Sequence, residues 1–346
     1  MIYGVNTYSD MSDSSVRIAL NGFGRIGRNV VRALPRYPDV ELVAINDVME
    51  PAQMAYLAEY DTVMGRDDSV TLADGRLQTE AVDAALLQVR DPTTLPWADL
   101  DVDVVLECTG IFRTHEDAAM HLEAGAGKVI ISAPPRGETP VTQLVYGVNH
   151  DTYAGEDIVS NASCTTNSVT PIAQVLDATF GIDHGMLTTV HAYTGSQQLL
   201  DGPMAKPRRG RAAAENILPT TTGAAEAATV ILPQLAGKLD GMAIRVPVPN
   251  GSLTELVVTL DAAPTVEAVN DAFRAAAAAG PLAGVLGVTD DPLVSSDIQG
   301  MPYSSIVDLA STNRVGAGAM YKVLTWYDNE FGFSNRMLDM ARFITA

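Results

Sequence analysis

Residues Gly22-Phe23-Gly24-Arg25-Ile26-Gly27 set three glycines at G-x-G-x-x-G spacing between an apolar extended run, Val16 to Leu20, and a helical stretch, Arg28 to Leu34. No other feature restricts the fold of the chain as much. In this context the first glycine permits a tight turn, the second lets backbone approach a pyrophosphate, and the third allows close helix packing. The helix that follows offers free N–H groups and the positive end of its dipole to the phosphates. Asp47 closes the next apolar run, Val40 to Ile45, about 20 residues past the last glycine, where a carboxylate can accept from ribose hydroxyls and repel a 2′-phosphate. The expected cofactor is therefore NAD, with NADP left open as a second one.

Strand-like runs at Val102 to Leu106, Lys128 to Ile131 and Leu144 to Val148 continue the pattern, with a helical stretch at Glu116 to Ala124 among them. Apolar runs alternating with helices predict a parallel α/β sheet. After residue 164 strands predominate, at Met186 to His191, Met242 to Val248, Leu253 to Leu260, Ile306 to Ala310 and Ala319 to Tyr327. Helical patterns occur there only at Thr165 to Phe180, Ala224 to Leu235 and Val266 to Ala279. The expected fold class is α/β: a Rossmann-type parallel-sheet domain plus an α+β catalytic domain with a mixed or antiparallel sheet. Residues 1–15 read as a disordered extension, with Met11 a candidate start. The dinucleotide-binding domain is expected at 16–163 and the catalytic domain at 164–328, with a C-terminal helix at 329–346 returning to the first domain.

A chain of 346 residues can bury two ordinary cores. Two cysteines, Cys108 and Cys164, exclude a secreted disulfide scaffold and suit a reducing compartment. The N-terminus lacks the basic start and apolar run of a signal peptide, and no stretch reaches the ~20 apolar residues needed to cross a bilayer. A soluble, cytoplasmic protein is expected. Its 42 acidic and 22 basic residues leave a net charge of −20 that repels nucleic acid and anionic membrane. The acids are spread along the chain, as at Arg66-Asp67-Asp68, Asp99 to Asp103 and Asp290-Asp291, so no acidic tail accounts for them. Self-repulsion on this scale is relieved when molar salt shortens the Debye length to ~3 Å. The charge thus implies a salt-rich cytoplasm, as in halophilic archaea.

Ser160-Asn161-Ala162-Ser163-Cys164-Thr165-Thr166-Asn167 runs from a strand end into a helix whose first turn is rich in capping residues. A cysteine at a helix start feels the positive dipole end, which favours thiolate. His191 ends a strand in the same half of the chain and is the candidate to hold that thiolate and to act as general base. Cys108 reads as a small buried residue. Anion-binding groups gather in the same half: Ser163, Thr165, Thr194, Arg209, the Thr220-Thr221-Thr222-Gly223 turn and Arg245. Arg208, Arg209 and Arg211 also have a plain reading as a solvated basic stretch. No metal is expected.

Together these motifs, with Asn21 to Arg28, Ile45-Asn46-Asp47, Thr188 to Thr194, Thr221 to Ala225, Met242 to Pro249 and Trp326-Tyr327-Asp328-Asn329-Glu330, resemble the glyceraldehyde-3-phosphate dehydrogenase family over nearly all of residues 16–346. The resemblance implies phosphorylating oxidation of glyceraldehyde 3-phosphate, with Cys164 as nucleophile and His191 as its activator. It implies that Thr194, Arg209 and Arg245 hold the substrate phosphate. Ser163, Thr165, Thr222 and Gly223 would hold inorganic phosphate. Gly22, Gly24, Arg25, Ile26, Gly27, Asp47, Arg90 and Ser132 would contact the dinucleotide, and Asn329 the nicotinamide amide. It also implies a homotetramer. Ser168, Phe333 and Gly195-Ser196 depart from frequent family residues, a second cysteine, a tyrosine and Asn-Asp respectively. Two alternatives stand beside this reading: a dehydrogenase of another phosphorylated aldehyde, such as erythrose 4-phosphate, and a non-catalytic NAD-binding interaction protein.

Overall fold

In the computed structural model, residues 15–346 are described. The extension expected over residues 1–15 lies, apart from exposed Ser15, outside them. The chain forms two compact units, one holding the residues up to Tyr146 with His150–Ser163 and Ser334–Ala346, the other Gly147–Asn149 and Cys164–Phe333.

The strands of the first unit are β1 (Val16–Asn21), β2 (Val40–Asn46), β3 (Tyr60–Asp61), β4 (Gly65–Arg66), β5 (Thr71–Ala73), β6 (Arg76–Gln78), β7 (Asp83–Leu87), β8 (Val104–Glu107), β9 (Lys128–Ile131), β10 (Thr142–Gln143) and β11 (Ile158–Ser160). Nine of them form one sheet in the order β10-β11-β9-β8-β1-β2-β7-β6-β5. It is parallel from β10 to β7 and antiparallel beyond. Strand order reverses about β1, which lies between β2 and β8, and such a reversal opens a ligand crevice at the strands' carboxyl ends. The central strands are apolar because both faces are covered, and Ile18, Leu20, Ile45, Leu106 and Ile130 are fully buried. Around the sheet run α1 (Arg25–Ala33), α2 (Pro51–Glu59) and α3 (His115–Glu123). A capping box holds the start of α3: Thr114 accepts the Asp117 N–H, and Asp117 accepts the Thr114 N–H.

The second unit begins with α4 (Cys164–Phe180) and continues with β12 (Ile182–Ala192), β13 (Leu218–Thr220), α5 (Ala224–Ile231), β14 (Leu239–Val246), β15 (Ser252–Leu260), α6 (Val266–Ala278), β16 (Leu286–Thr289), β17 (Ser305–Arg314) and β18 (Met320–Tyr327). Its sheet runs β13-β14-β12-β15-β18-β17-β16. It is mixed: β12 pairs parallel with β14 and β16 with β17, while the other pairs are antiparallel. Strict alternation of buried and half-buried residues along β15 shows a sheet with one covered face. The last helix, α7 (Phe331–Thr345), is anchored within the first unit from Ser334 onward. There the Tyr37 hydroxyl donates to the Asn335 carbonyl at 3.1 Å, the Ser334 hydroxyl to the Ile26 carbonyl at 3.3 Å, and Arg342 pairs with Asp39 at 2.6 Å.

Both sheet classes match the expected fold. The strand expected at Leu144 to Val148 does not form. Leu144 and Val145 are buried, but pairing stops at Gln143, and Gly147 takes a left-handed φ of +85° that an extended strand excludes. A short apolar run says that a segment is buried, not that it is extended. The helix expected to reach Leu235 stops at Ile231, and Pro233–Leu235 form a separate 3-10 turn, since proline cannot donate inside an α-helix.

Candidate active site

In the first unit, β1 delivers the chain to Gly22 at φ +99°, where an added Cβ would lie 2.6 Å from the Thr109 backbone nitrogen. A Cβ at Gly27 would run into the Gly22 carbonyl oxygen, so the third glycine serves packing. Gly24, just before α1, faces open space, with no atom within 4 Å of an added Cβ. That opening at a helix start is a cradle of the kind a pyrophosphate fills, and the residues around it fit a dinucleotide. Asp47 Oδ2 accepts the Phe23 N–H at 2.6 Å and Oδ1 the Met49 N–H at 3.0 Å. The carboxylate thus ties the glycine turn to the end of β2 and keeps further lone pairs for ribose hydroxyls. Arg25 pairs with Asp61, whose carboxylate also accepts the Val63 and Met64 N–H groups. Against the effect of burial, Arg25 and those N–H groups hold the Asp61 carboxyl below its ordinary range. Arg90 is exposed beyond β7. The Ser132 N–H donates to the Glu107 carbonyl, and its hydroxyl bonds the Cys108 thiol. Burial pushes that thiol up, in keeping with its reading as an inert residue.

In the second unit, Cys164 is the first residue of α4. The loop before α4 is constrained: Ala162 holds a left-handed φ of +55°, unusual for a residue with a Cβ, and its N–H donates to the Ser160 hydroxyl at 3.0 Å. Cys164 Sγ lies 3.4 Å from His191 Nε2, which β12 brings in near its end. Behind the ring, Arg245 on β14 stands in register with His191. One guanidinium nitrogen lies 2.8 Å from His191 Nδ1 and donates to the Ala192 carbonyl at 2.6 Å. His191 Nδ1 is itself 2.7 Å from that carbonyl. With Nδ1–H directed to Ala192, Nε2 is bare toward sulfur, the tautomer a general base needs. With Nδ1 accepting from Arg245, Nε2–H points to sulfur and suits a thiolate.

The charges decide which state is held at rest. Burial first, then Arg245, pull the His191 pKa down to about 3. Burial raises the Cys164 pKa, opposed by Arg245 and Thr165. Burial therefore opposes charge on both groups, against the thiolate that the helix start and Arg245 favour.

The other expected groups are each held by local partners. Arg209 Nη1 lies 3.3 Å from the Ser196 hydroxyl and its Nε 3.2 Å from Thr220 Oγ1, while Thr194 and Ser196 hydroxyls are 2.8 Å apart. Arg209 is also near enough to lower the pKa of both His191 and Arg245. Thr222 accepts the Ala224 N–H at 3.1 Å, and Gly223 caps α5. Asn329 is buried with its carbonyl taken by the Ser252 hydroxyl at 2.7 Å, which fixes the orientation of its amide. Thr165 bonds the Tyr327 hydroxyl at 3.0 Å, and Ser163 is the last residue of the segment preceding α4.

Sequence reading assigned no role to Tyr327. Its hydroxyl also bonds Thr189 at 2.8 Å, and its ring meets His191 edge-on with centroids 5.9 Å apart. Ser196 was likewise seen only as a departure, although it bridges Thr194 and Arg209. Its signal, a hydroxyl beside Thr194, could not be told from an ordinary loop serine. Among the described residues no helix is long and apolar enough to cross a membrane.

Comparison with known proteins gives two family matches: residues 16–115 match the glyceraldehyde 3-phosphate dehydrogenase NAD binding domain, and residues 163–329 its C-terminal domain. The glyceraldehyde-3-phosphate dehydrogenase of Haloarcula vallismortis is 65% identical over 337 residues, covering 97% of this chain and all of the relative. That of Kitasatospora aureofaciens is 54% identical over 95% of this chain and 99% of its own. That of Geobacillus stearothermophilus is 50% identical over 96% and 99%.

Proposed function

The chain belongs to the glyceraldehyde-3-phosphate dehydrogenase family, and from that membership we propose that it oxidises glyceraldehyde 3-phosphate with NAD and inorganic phosphate, through Cys164. The observation that carries the reading is the Cys164, His191 and Arg245 constellation at the start of α4. Arg209, Thr194 and Arg245 hold the substrate phosphate. Ser163, Thr165, Thr222 and Gly223 receive the attacking phosphate. Gly22, Gly24, Arg25, Ile26, Gly27, Asp47, Arg90 and Ser132 hold the dinucleotide, and Asn329 its carboxamide.

His191 Nε2 takes the thiol proton as sulfur adds to the aldehyde carbon, and returns it to the new alkoxide to give a hemithioacetal. It takes the hydroxyl proton again as the C–H bond gives up hydride, leaving a thioester on Cys164. When bound, the nicotinamide supplies the hydride acceptor. A phosphate oxygen then attacks the thioester carbon and the C–S bond breaks, releasing an acyl phosphate. The departing sulfur takes the proton given up by the phosphate, and His191 loses its own to water. A base held down to about pKa 3 would serve poorly. Burial is the larger cause and remains, but a phosphate dianion drawn to Arg209 and Arg245 offsets the positive charges that add to it, so substrate binding raises the basicity of His191 in part.

Exposed Met186, Met242, Leu199, Leu200 and Ile217 in the second unit support assembly of several copies, read as a homotetramer. The free cysteines support a reducing cytoplasm, where the reaction serves glycolysis in one direction and gluconeogenesis in the other. Steady-state rates with glyceraldehyde 3-phosphate and erythrose 4-phosphate, with phosphate varied, test the reading in molar salt. Preference for the three-carbon aldehyde and dependence on phosphate are expected, and turnover without phosphate would overturn it.

A further inference from the structure

Asn21, Asn46 and Glu107 are the last residues of β1, β2 and β8, and Asn21 stands in register with both others. All three are buried at the carboxyl edge of the sheet, beneath the glycine turn. Their polar groups form one directed chain. The Val89 N–H donates to Asn46 Oδ1 at 2.8 Å, which turns the Asn46 amide nitrogen toward Asn21 Oδ1, also at 2.8 Å. The Asn21 amide nitrogen is thereby left to face Glu107, donating to Oε2 at 2.6 Å.

From the other side, the Trp97 indole N–H can only donate, and it meets His121 Nδ1 at 3.1 Å. His121 Nδ1 must therefore accept, its proton resides on Nε2, and Nε2–H points to Glu107 Oε2 at 3.3 Å; the Asn21 amide nitrogen lies 3.4 Å from Nε2, and as two donors they do not bond each other but converge on Oε2. The other carboxylate oxygen, Oε1, accepts both the N–H, at 2.7 Å, and the hydroxyl of Thr109. Glu107 thus receives four donors, with none of its surroundings asking it for a proton. A fully satisfied buried network of this kind specifies one geometry.

Thr109 is the residue whose backbone crowds Gly22, together with the Cys108 carbonyl carbon. The Cys108 N–H is bonded in turn to the Asn21 carbonyl at 2.7 Å. We propose that Glu107 is a positioning residue for the dinucleotide: by clamping Thr109 and Asn21 it holds the wall against which the Gly22 turn takes its left-handed shape, before any cofactor arrives. The proposal rests on the reading of Gly22 to Gly27 as the NAD site. A neutral amide cannot replace the carboxylate. Glu107→Gln sets an NH2 either against the Thr109 N–H or against the donors of Asn21 and His121, and Trp97 prevents His121 from changing tautomer to accommodate it.

Binding of NAD to the full-length protein in molar salt, by calorimetry, tests this, with amide deuterium exchange of the cofactor-free protein as a second readout. Glu107→Gln should raise the Kd for NAD by ~10-fold or more, the size expected when buried donors lose their acceptor, and raise KM for NAD far more than it lowers kcat. Exchange should quicken at Thr109 and at Ile111, whose N–H donates to the Thr109 hydroxyl at 3.0 Å. The double variant Asn21→Asp/Glu107→Gln, which moves the carboxylate one side chain along the same chain of donors, should recover most of the lost affinity. Should Glu107→Gln fail to fold, Thr109→Val removes one clamp alone and should still weaken NAD binding severalfold. A folded Glu107→Gln or Thr109→Val protein that binds NAD like wild type, even if it melts earlier, overturns the proposal. Failure of the wild-type protein to bind NAD overturns the underlying site reading instead.

Discussion

At the scale of single residues, His191 is the group whose environment matters most. Its pKa falls from 6.5 to about 3 on folding, so the unfolded chain takes up a proton that the folded chain refuses. The stabilisation this represents is complete above about pH 6.5 and is lost as pH falls toward 3. Chemical unfolding at a series of pH values should show a shallower acid decline for His191→Asn than for wild type over that window. The same variant should lower kcat by ~10²-fold, the usual worth of a positioned base, and initial rates in molar salt would measure it. Asp47 ties the Phe23 N–H to the end of β2, and we propose that it also reads the ribose. Asp47→Ala should therefore weaken NAD binding and also narrow the gap between NAD and NADP, and an unchanged ratio of the two would mean that it does not read the ribose. Cys164 and His191 were legible in the sequence because each lies at the junction of two elements with a distinctive neighbourhood. Tyr327 and Glu107 were not, because only the folded chain brings their partners near: Tyr327 meets Thr165 and Thr189 across separations of 162 and 138 positions, and Glu107 meets Asn21 across 86, while Ser196 carried no signal beyond that of a loop serine.

At the scale of elements, apolar periodicity located every central strand of the first sheet except β11, which is buried but only three residues long, and β7, which is only partly buried, so that neither carries much signal. It failed at Leu144 to Val148, where burial without pairing mimics a strand. Helix bounds were legible to a few residues, α1 starting three before the expected Arg28 and α5 ending four before Leu235; where a side chain caps the start, as Thr114 does, the start fell within one residue. Thr114 shows the point: its hydroxyl satisfies a backbone N–H of α3, and Thr114→Ala should cost ~1 kcal/mol, read as a lower melting temperature without loss of NAD affinity. The α3 helix carries His121, so a loosened start that also weakened NAD binding would show that the cap supports the cofactor site as well.

For the whole molecule, a net charge of −20 sets the conditions under which anything else can be observed. Similarity to the Haloarcula vallismortis relative supports an origin in a halophilic archaeon. Thermal unfolding from low to molar salt should show the midpoint rising with salt, and equal stability without salt would defeat the link between charge and habitat. Sequence reading reached this because charge needs no fold to be counted. The placement of residues 334–346 with the first unit has a different bearing, on the order of events during synthesis. Tyr37 meets Asn335 across 298 positions, and Met337, Leu338 and Ala341 are wholly buried. A ribosome must therefore have made all of the second unit before the first can close its core. The nascent chain thus passes through translation with the nucleotide-binding unit unfinished; the thiol-bearing unit is itself complete only at Phe333, and the few residues after it then join the first unit.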